Sequence, residues 1–437
     1  MTLELERPGI APADVRELLA GSILADGFDL VLDLRRSAGR RLVDERDGTA
    51  YLDMFGFFAS SALGMNHPAL AADPDFRAEL LAAALNKPSN SDIYTVAMAR
   101  FVQTFVRVLG DPRLPHLFFV DGGALAVENA LKTAFDWKSR HNEAQGRAAP
   151  GSRVLHLTGA FHGRSGYTLS LTNTDPVKTE RFPKFDWPRI EAPYLRTGRD
   201  VRAAEERALA AARRAFTEYP HDIACFLAEP IQGEGGDRHF RPEFLLAVQE
   251  LCREHDALFV LDEVQTGVGI TGSTWAYQQL GLTPDVVAFG KKTQVCGIMA
   301  GGRVTEVPEN VFRVGSRLNS TWGGNLADMV RARRILEVIE SEGLVERAGV
   351  VGAHLLDRLR GLVPLVSEPR GRGLFCAVDL RSGEFRDEVV RVLREREHVL
   401  VLGTGERGIR FRAPLTVTVA ELDEAVDALG RVLVQLG

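Results

Sequence analysis

The sequence predicts an α/β protein in which a mostly parallel, doubly wound sheet forms a large domain and a smaller α+β domain stands beside it. Three observations carry this. Short apolar runs rich in β-branched and aromatic residues (HLFFV at 116–120, VLHL at 154–157, ACFLA at 224–228, LFVL at 258–261, VVAF at 286–289) have the length and composition of buried parallel strands. An amphipathic pattern over 243–255 joins two of them as a βαβ unit. After residue 327 the rhythm changes to mixed strands and helices, which reads as a separate lobe.

With 437 residues, 45% of them hydrophobic, the chain is too long for one compact core. The segmentation that follows is 1–70 as the N-terminal part of the small domain, 71–327 as the large domain and 328–437 as the C-terminal part of the small domain. A net charge of -6 gives no field favouring nucleic acid or anionic lipid, so small-molecule chemistry is expected. The four cysteines (Cys225, Cys252, Cys296, Cys376) lie far apart without a CxxC or Cys/His cluster, so neither a disulfide framework nor a metal site is expected. The first residues, MTLELERPGIAPADV, carry acids and a proline where an export signal has basic residues and an apolar core, and no membrane-length apolar run occurs anywhere. A soluble cytoplasmic protein is the expectation.

Along the chain, Val31 to Asp53 alternates short apolar runs with turn signals and predicts a hairpin with Asp47-Gly48 in its turn. Phe55 to Leu70 (FGFFASSALGMNHPAL) reads as a pocket-lining loop or as core filler. Helical patterning begins near Ala78 and again at Ile93, where Ser91 or Asp92 is the expected cap. The run HLFFV passes directly into DGGALAVENALK, a glycine-rich turn opening a helix whose free N–H groups suit phosphate. After the next strand comes TGAFHGRSG, in which Phe161 is either a stacking aromatic or a core residue, and His162 either a functional or a satisfied loop histidine. A long helix follows LNSTWGGN (318–325), with Met329, Ala332, Leu336 and Ile339 on one side, and the last helix opens on a capping box of Thr418 and Glu421.

The chemistry concentrates between Leu258 and Lys292, where one strand ends in Asp262 and the next is followed by Lys291. Ligands of open parallel sheets sit beyond the carboxyl ends of the strands, which is where these charges fall. A buried amine captures carbonyls, and a nearby carboxylate keeps a heterocyclic nitrogen protonated, the pairing pyridoxal phosphate requires. An ordinary strand-end ion pair would show the same two residues, and spacing does not separate Lys291 from Lys292.

The ordered motifs DGGALAVENALK, GAFHGRSG, EPIQGEGG, LDEVQTG, FGKK, STWGGN, RGRGL and IRFRAPL resemble those of the class III, pyridoxal 5'-phosphate-dependent aminotransferases of fold type I over nearly the full length. Within that family ALNKPSNSD, PKFDWPRI, AFGKKTQVCG and SRLNSTWGGN look most like the L-lysine 6-transaminase branch. The resemblance implies a small domain built from both termini. It places the cofactor on Lys291, directly after Gly290, its ring nitrogen on Asp262, its 3-oxygen on Gln265 and its ring face on Phe161. Gly123 and Ala124 would hold the phosphate, with Thr321 reaching it from the second subunit of a homodimer that shares its active sites. Arg164 and Arg410 would bind substrate carboxylates, Glu234 would pair with Arg410, and Asn319 would line the pocket. Ala124 departs from the Ser or Thr of many relatives, so backbone N–H groups must carry more of the phosphate contact. The implied reaction moves the ε-amino group of L-lysine to 2-oxoglutarate, giving L-glutamate. A transaminase for ornithine or 4-aminobutyrate, a PLP aminomutase and a silent scaffold are the rival readings.

Overall fold

The computed structural model describes residues 9–437, so the expectation resting on the first residues falls partly outside them. The large sheet has seven strands: β1 (His116–Val120), β2 (Arg153–Leu157), β3 (Arg189–Ile190), β4 (Ile223–Ala228), β5 (Leu258–Asp262), β6 (Val286–Phe289) and β7 (Cys296–Ala300). Their spatial order is β1-β7-β6-β5-β4-β2-β3. β7 pairs antiparallel with both β6 and β1, whereas the remaining pairs are parallel, so six strands run one way.

The sheet is doubly wound because alternate residues enter different cores. Phe226, Phe259, Leu261 and Phe289 pack into one cluster, while Leu227, Val260 and Ala288 pack into another with Ala126 and Ala130 of the helix Gly123–Ala144. Strands apolar at every position thus read as continuous runs. β7 and the edge strand β3 were not legible as strands: CGIMA carries few β-branched residues and follows the turn Lys291–Thr293 closely, and Arg189–Ile190 is only two residues long.

The N-terminal hairpin pairs Arg41–Val43 with Ala50–Asp53, and the latter adds Val399–Leu400 in parallel, so the two ends of the chain share a sheet. A second, antiparallel sheet joins Ser367–Arg372, Phe375–Asp379, Gly408–Phe411 and Leu402–Thr404. The final helix, Val419–Leu436, opens on the expected reciprocal box: Thr418 N–H donates to Glu421 Oε2 (2.8 Å) and Glu421 N–H to Thr418 Oγ1 (3.3 Å).

The cap of the helix Val96–Leu109 corrects the sequence reading. Thr95 accepts the Met98 N–H at 3.1 Å, not Ser91 or Asp92. Ser91 donates to the Ser320 carbonyl (2.5 Å) and Asn90 to that of Gly324 (2.8 Å), while Asp92 accepts from Ser89. Asn90 and Ser91 thus tie the 86–92 loop to the 318–325 loop, while Asp92 is engaged within its own loop.

Candidate active site

The carboxyl ends of β1, β2, β4, β5 and β6 open onto a cleft of about 800 Å³. Gly123, Ala124, Phe161, Arg164, Glu234, Asp262, Gln265 and Lys291 all line it, bringing together residues spread over most of the large sheet. Lys291 stands just beyond β6 with a left-handed backbone (φ 55°), a conformation costing a non-glycine residue about 1–3 kcal/mol and concentrated at functional sites. Phe58, one of three consecutive left-handed residues (Phe57, Phe58, Ala59), turns its ring into the same cleft, 5.8 Å from the Lys291 amine. Of the stretch 55–70, Phe58 and Ser60 therefore line the pocket, while Ala59, Ala62 and Leu63 are core. Burial and, secondarily, the charge of Arg410 lower the Lys291 amine to about 8. Lys292 is fully buried and donates to the carbonyls of Ala59 (3.2 Å) and Gln265 (3.1 Å), so it braces the cleft wall from behind.

Asp262 ends β5 with Oδ2 2.8 Å from His162 Nδ1 and Oδ1 accepting the Val264 N–H at 3.1 Å. His162 was singled out by the sequence without a role; the fold brings it from the β2 loop onto the carboxylate, and its Nε2 is buried with no partner among the described residues. Glu229, which sequence reasoning passed over, sits at the end of β4 and accepts the N–H groups of Phe161 (3.0 Å) and Gly233 (2.9 Å). Burial, reinforced by Asp262, raises its carboxyl to about 7.

At the far wall Arg410 is 3% exposed and bonds Glu234 through Nη2 (2.8 Å), while its Nε and Nη1 are buried without partners. Burial alone would raise the Glu234 carboxyl, but Arg410 and then Lys178 overcome it and hold it down at about 2. Arg412, also missed, lies fully buried, donating Nε to Gln265 Oε1 (3.0 Å) and Nη2 to Asp237 Oδ1 (2.5 Å). Asn319 and Thr321 are exposed and stand outside the cleft of their own chain, so within one chain Asn319 does not line the pocket. Among the described residues no cluster of His, Cys, Asp or Glu could hold a metal, and no helix is long and apolar enough to cross a membrane.

These residues fit a phosphorylated pyridine cofactor. The helix Gly123–Ala144 points its first N–H groups at the cleft, and a Cβ at Gly163 (φ +117°) would meet that of Ala124 at 2.5 Å, so the phosphate turn packs tightly enough to need glycine. Phe161 and Val264 offer apolar surfaces for a ring whose nitrogen Asp262 could hold. A buried amine and a strand-end carboxylate facing one cleft could hold a carbonyl cofactor. The chain belongs to the class III aminotransferases, a pyridoxal-phosphate-dependent family: the model described as "Aminotransferase class-III" matches residues 25–433. It is 67% identical over 426 residues to the L-lysine-epsilon aminotransferase of Mycobacterium tuberculosis strain H37Rv, covering 96% of this chain and 95% of that protein. The L-lysine-epsilon aminotransferase of Amycolatopsis lactamdurans is 60% identical over 433 residues, covering 97% and 96%. Among solved structures, a lysine aminotransferase from M. tuberculosis superposes with a TM-score of 0.97 at 65% identity, covering 98% of this chain and 100% of that one.

Proposed function

We propose that this chain transfers the ε-amino group of L-lysine to 2-oxoglutarate, yielding L-glutamate and 2-aminoadipate 6-semialdehyde, which cyclises to piperideine-6-carboxylate. The observation that carries the reading is the pairing of Glu234, which lines the same cleft as Lys291, with Arg410, whose guanidinium lies 5.8 Å from the ring of the cleft residue Phe58. With Arg410 neutralised, an apolar methylene chain meets no unpaired buried cation, which would otherwise cost several kcal/mol. Arg164, exposed at the cleft edge, takes the α-carboxylate of lysine and leaves the ε-carbon beside Lys291. For 2-oxoglutarate Arg164 takes the distal carboxylate, and the α-carboxylate competes with Glu234 for Arg410 as a bidentate partner. The donor name carried by the lysine ε-aminotransferase relatives supports the same assignment.

Pyridoxal phosphate, when bound, supplies an electrophilic carbonyl and an electron-withdrawing ring. Lys291 would hold it through its amine, Asp262 through the ring nitrogen, Gln265 through the 3-oxygen and Phe161 through the ring face. Gly123 and Ala124 would meet the phosphate through backbone N–H groups. Thr321 of the partner subunit would add a hydroxyl, and Asn319 sits on that same shared loop. The free Lys291 amine would take a proton from the reacting carbon and redeliver it; an amine lowered to about 8 is partly neutral near physiological pH and suits that task. His162 and the Val264 N–H hold the Asp262 carboxylate in place.

The test is a donor panel of lysine, ornithine and 4-aminobutyrate against 2-oxoglutarate. One methylene separates lysine from ornithine, so a preference of roughly 10- to 200-fold in kcat/KM is expected. Equal use of ornithine, or turnover of lysine without a 2-oxoacid, would overturn the assignment.

A further inference from the structure

Glu234 does not have one partner but two. Its Oε2 meets Arg410 at 2.8 Å, and its Oε1 meets Lys178 Nζ at 2.5 Å. The two cations come from different elements and differ in kind. Arg410 projects from the strand Gly408–Phe411 and is buried, with a side chain 3% exposed. Lys178 ends the short turn Pro176–Lys178, carries a flexible side chain 23% exposed, and lies 5.6 Å over the Phe161 ring. One carboxylate spanning two cations leaves the trio with a net positive charge, so pairing with Arg410 alone does not describe the resting site.

We propose that Lys178 is a positioning residue for substrate exchange: it keeps hold of Glu234 when the α-carboxylate of a dicarboxylate takes Arg410. The physical need is plain. A carboxylate expelled from Arg410 inside a part-buried cleft must find another cation or be stranded, and stranding a charge there is costly. Lys178 already holds one oxygen, so only the Arg410 leg has to break, and a cation on a flexible stem can follow the movement. The free Nε and Nη1 of Arg410 are the donors that the incoming group would engage. Lys178 thereby lowers the barrier to accepting 2-oxoglutarate without touching it. This inference rests on the reading that Arg410 binds the α-carboxylate.

The experiment titrates glutarate, a dicarboxylate that cannot react, into the holoenzyme by calorimetry. Lys178→Met should weaken glutarate binding by about tenfold, because Glu234 is left clamped on Arg410 with nowhere else to go. Lys178→Arg should recover most of the loss. In a Glu234→Gln background the Lys178→Met effect should vanish, since there is no carboxylate to relocate. In stopped-flow half-reactions Lys178→Met should raise the apparent KM for 2-oxoglutarate far more than that for lysine. An equal loss in both Glu234 backgrounds would mean that Lys178 contacts the ligand itself and would overturn the proposal. Arg410→Ala separates the two layers: if it leaves glutarate binding intact, the reading of Arg410 fails first, and if it abolishes binding while Lys178→Met weakens glutarate equally with and without Glu234, only the present inference fails.

Discussion

Asp237→Asn probes how the cleft floor is held. Asp237 is 0% and Arg412 1% exposed, and their side chains meet at 2.5 Å. The Arg412 guanidinium also lies 3.4 Å over the Phe375 ring and donates to the Phe411 carbonyl at 2.8 Å and to Gln265 Oε1 at 3.0 Å. Replacing the carboxylate by an amide leaves that guanidinium buried with no counter-ion, a change costing about 3–5 kcal/mol. The contact with Phe375 is unchanged by the substitution, and the amide oxygen can still accept from Arg412 Nη2, which puts the net loss near the lower end. Asp237→Leu combined with Arg412→Met removes both charges and should recover most of the stability, to within about 1 kcal/mol. Activity should stay low in the double variant, because Gln265 loses the donor that orients it. Urea unfolding of the holoenzyme at fixed cofactor concentration, with the slope checked for constancy, measures the change. A loss below about 1 kcal/mol in the single variant, the size of an exposed pair, or simple additivity in the double, would refute the argument.

Three further outcomes are expected. Burial lowers Lys291 from 10.5 to about 8, so between those pH values the unfolded chain binds more protons than the folded one; the stability of the cofactor-free protein should rise with pH across that window, and Lys291→Met should flatten the rise. Borohydride reduction of the holoenzyme followed by peptide mapping should place the adduct on Lys291, and an adduct on Lys292, whose amine is bonded to the Ala59 and Gln265 carbonyls, would reverse the assignment. Mixing Lys291→Ala with Thr321→Val protomers should restore part of the activity, since each mixed dimer would hold one intact site, whereas no recovery would refute sharing of the sites.

What the sequence disclosed follows from how locally each feature is written. Asp262 and Lys291 were legible because each follows a continuous apolar run, and a charge at the end of a buried strand stands out against it. The turn before the helix Gly123–Ala144 was legible through its glycines. Arg410 and Glu234 came only from resemblance, since no local pattern joins residues 176 positions apart. His162 on Asp262, Lys178 on Glu234 and Arg412 on Asp237 are likewise long-range contacts made by the crossovers and by the apposition of two sheets. Thr95 was missed as a cap because Ser91 and Asp92 are equally good capping residues, and only the structure shows that Ser91 is engaged by the 318–325 loop and Asp92 by Ser89.

The regiochemistry of transfer tests the central claim most directly. With L-lysine carrying isotopic nitrogen at the ε position and unlabelled 2-oxoglutarate, mass spectrometry of the products follows the amino group itself. The proposed orientation, with Arg164 holding the α-carboxylate and Lys291 beside the ε-carbon, predicts that the label appears in glutamate and that the cyclised product keeps only the unlabelled α-nitrogen. Label retained in the oxidised product, with unlabelled glutamate formed, would mean that lysine binds the other way round and would contradict the account.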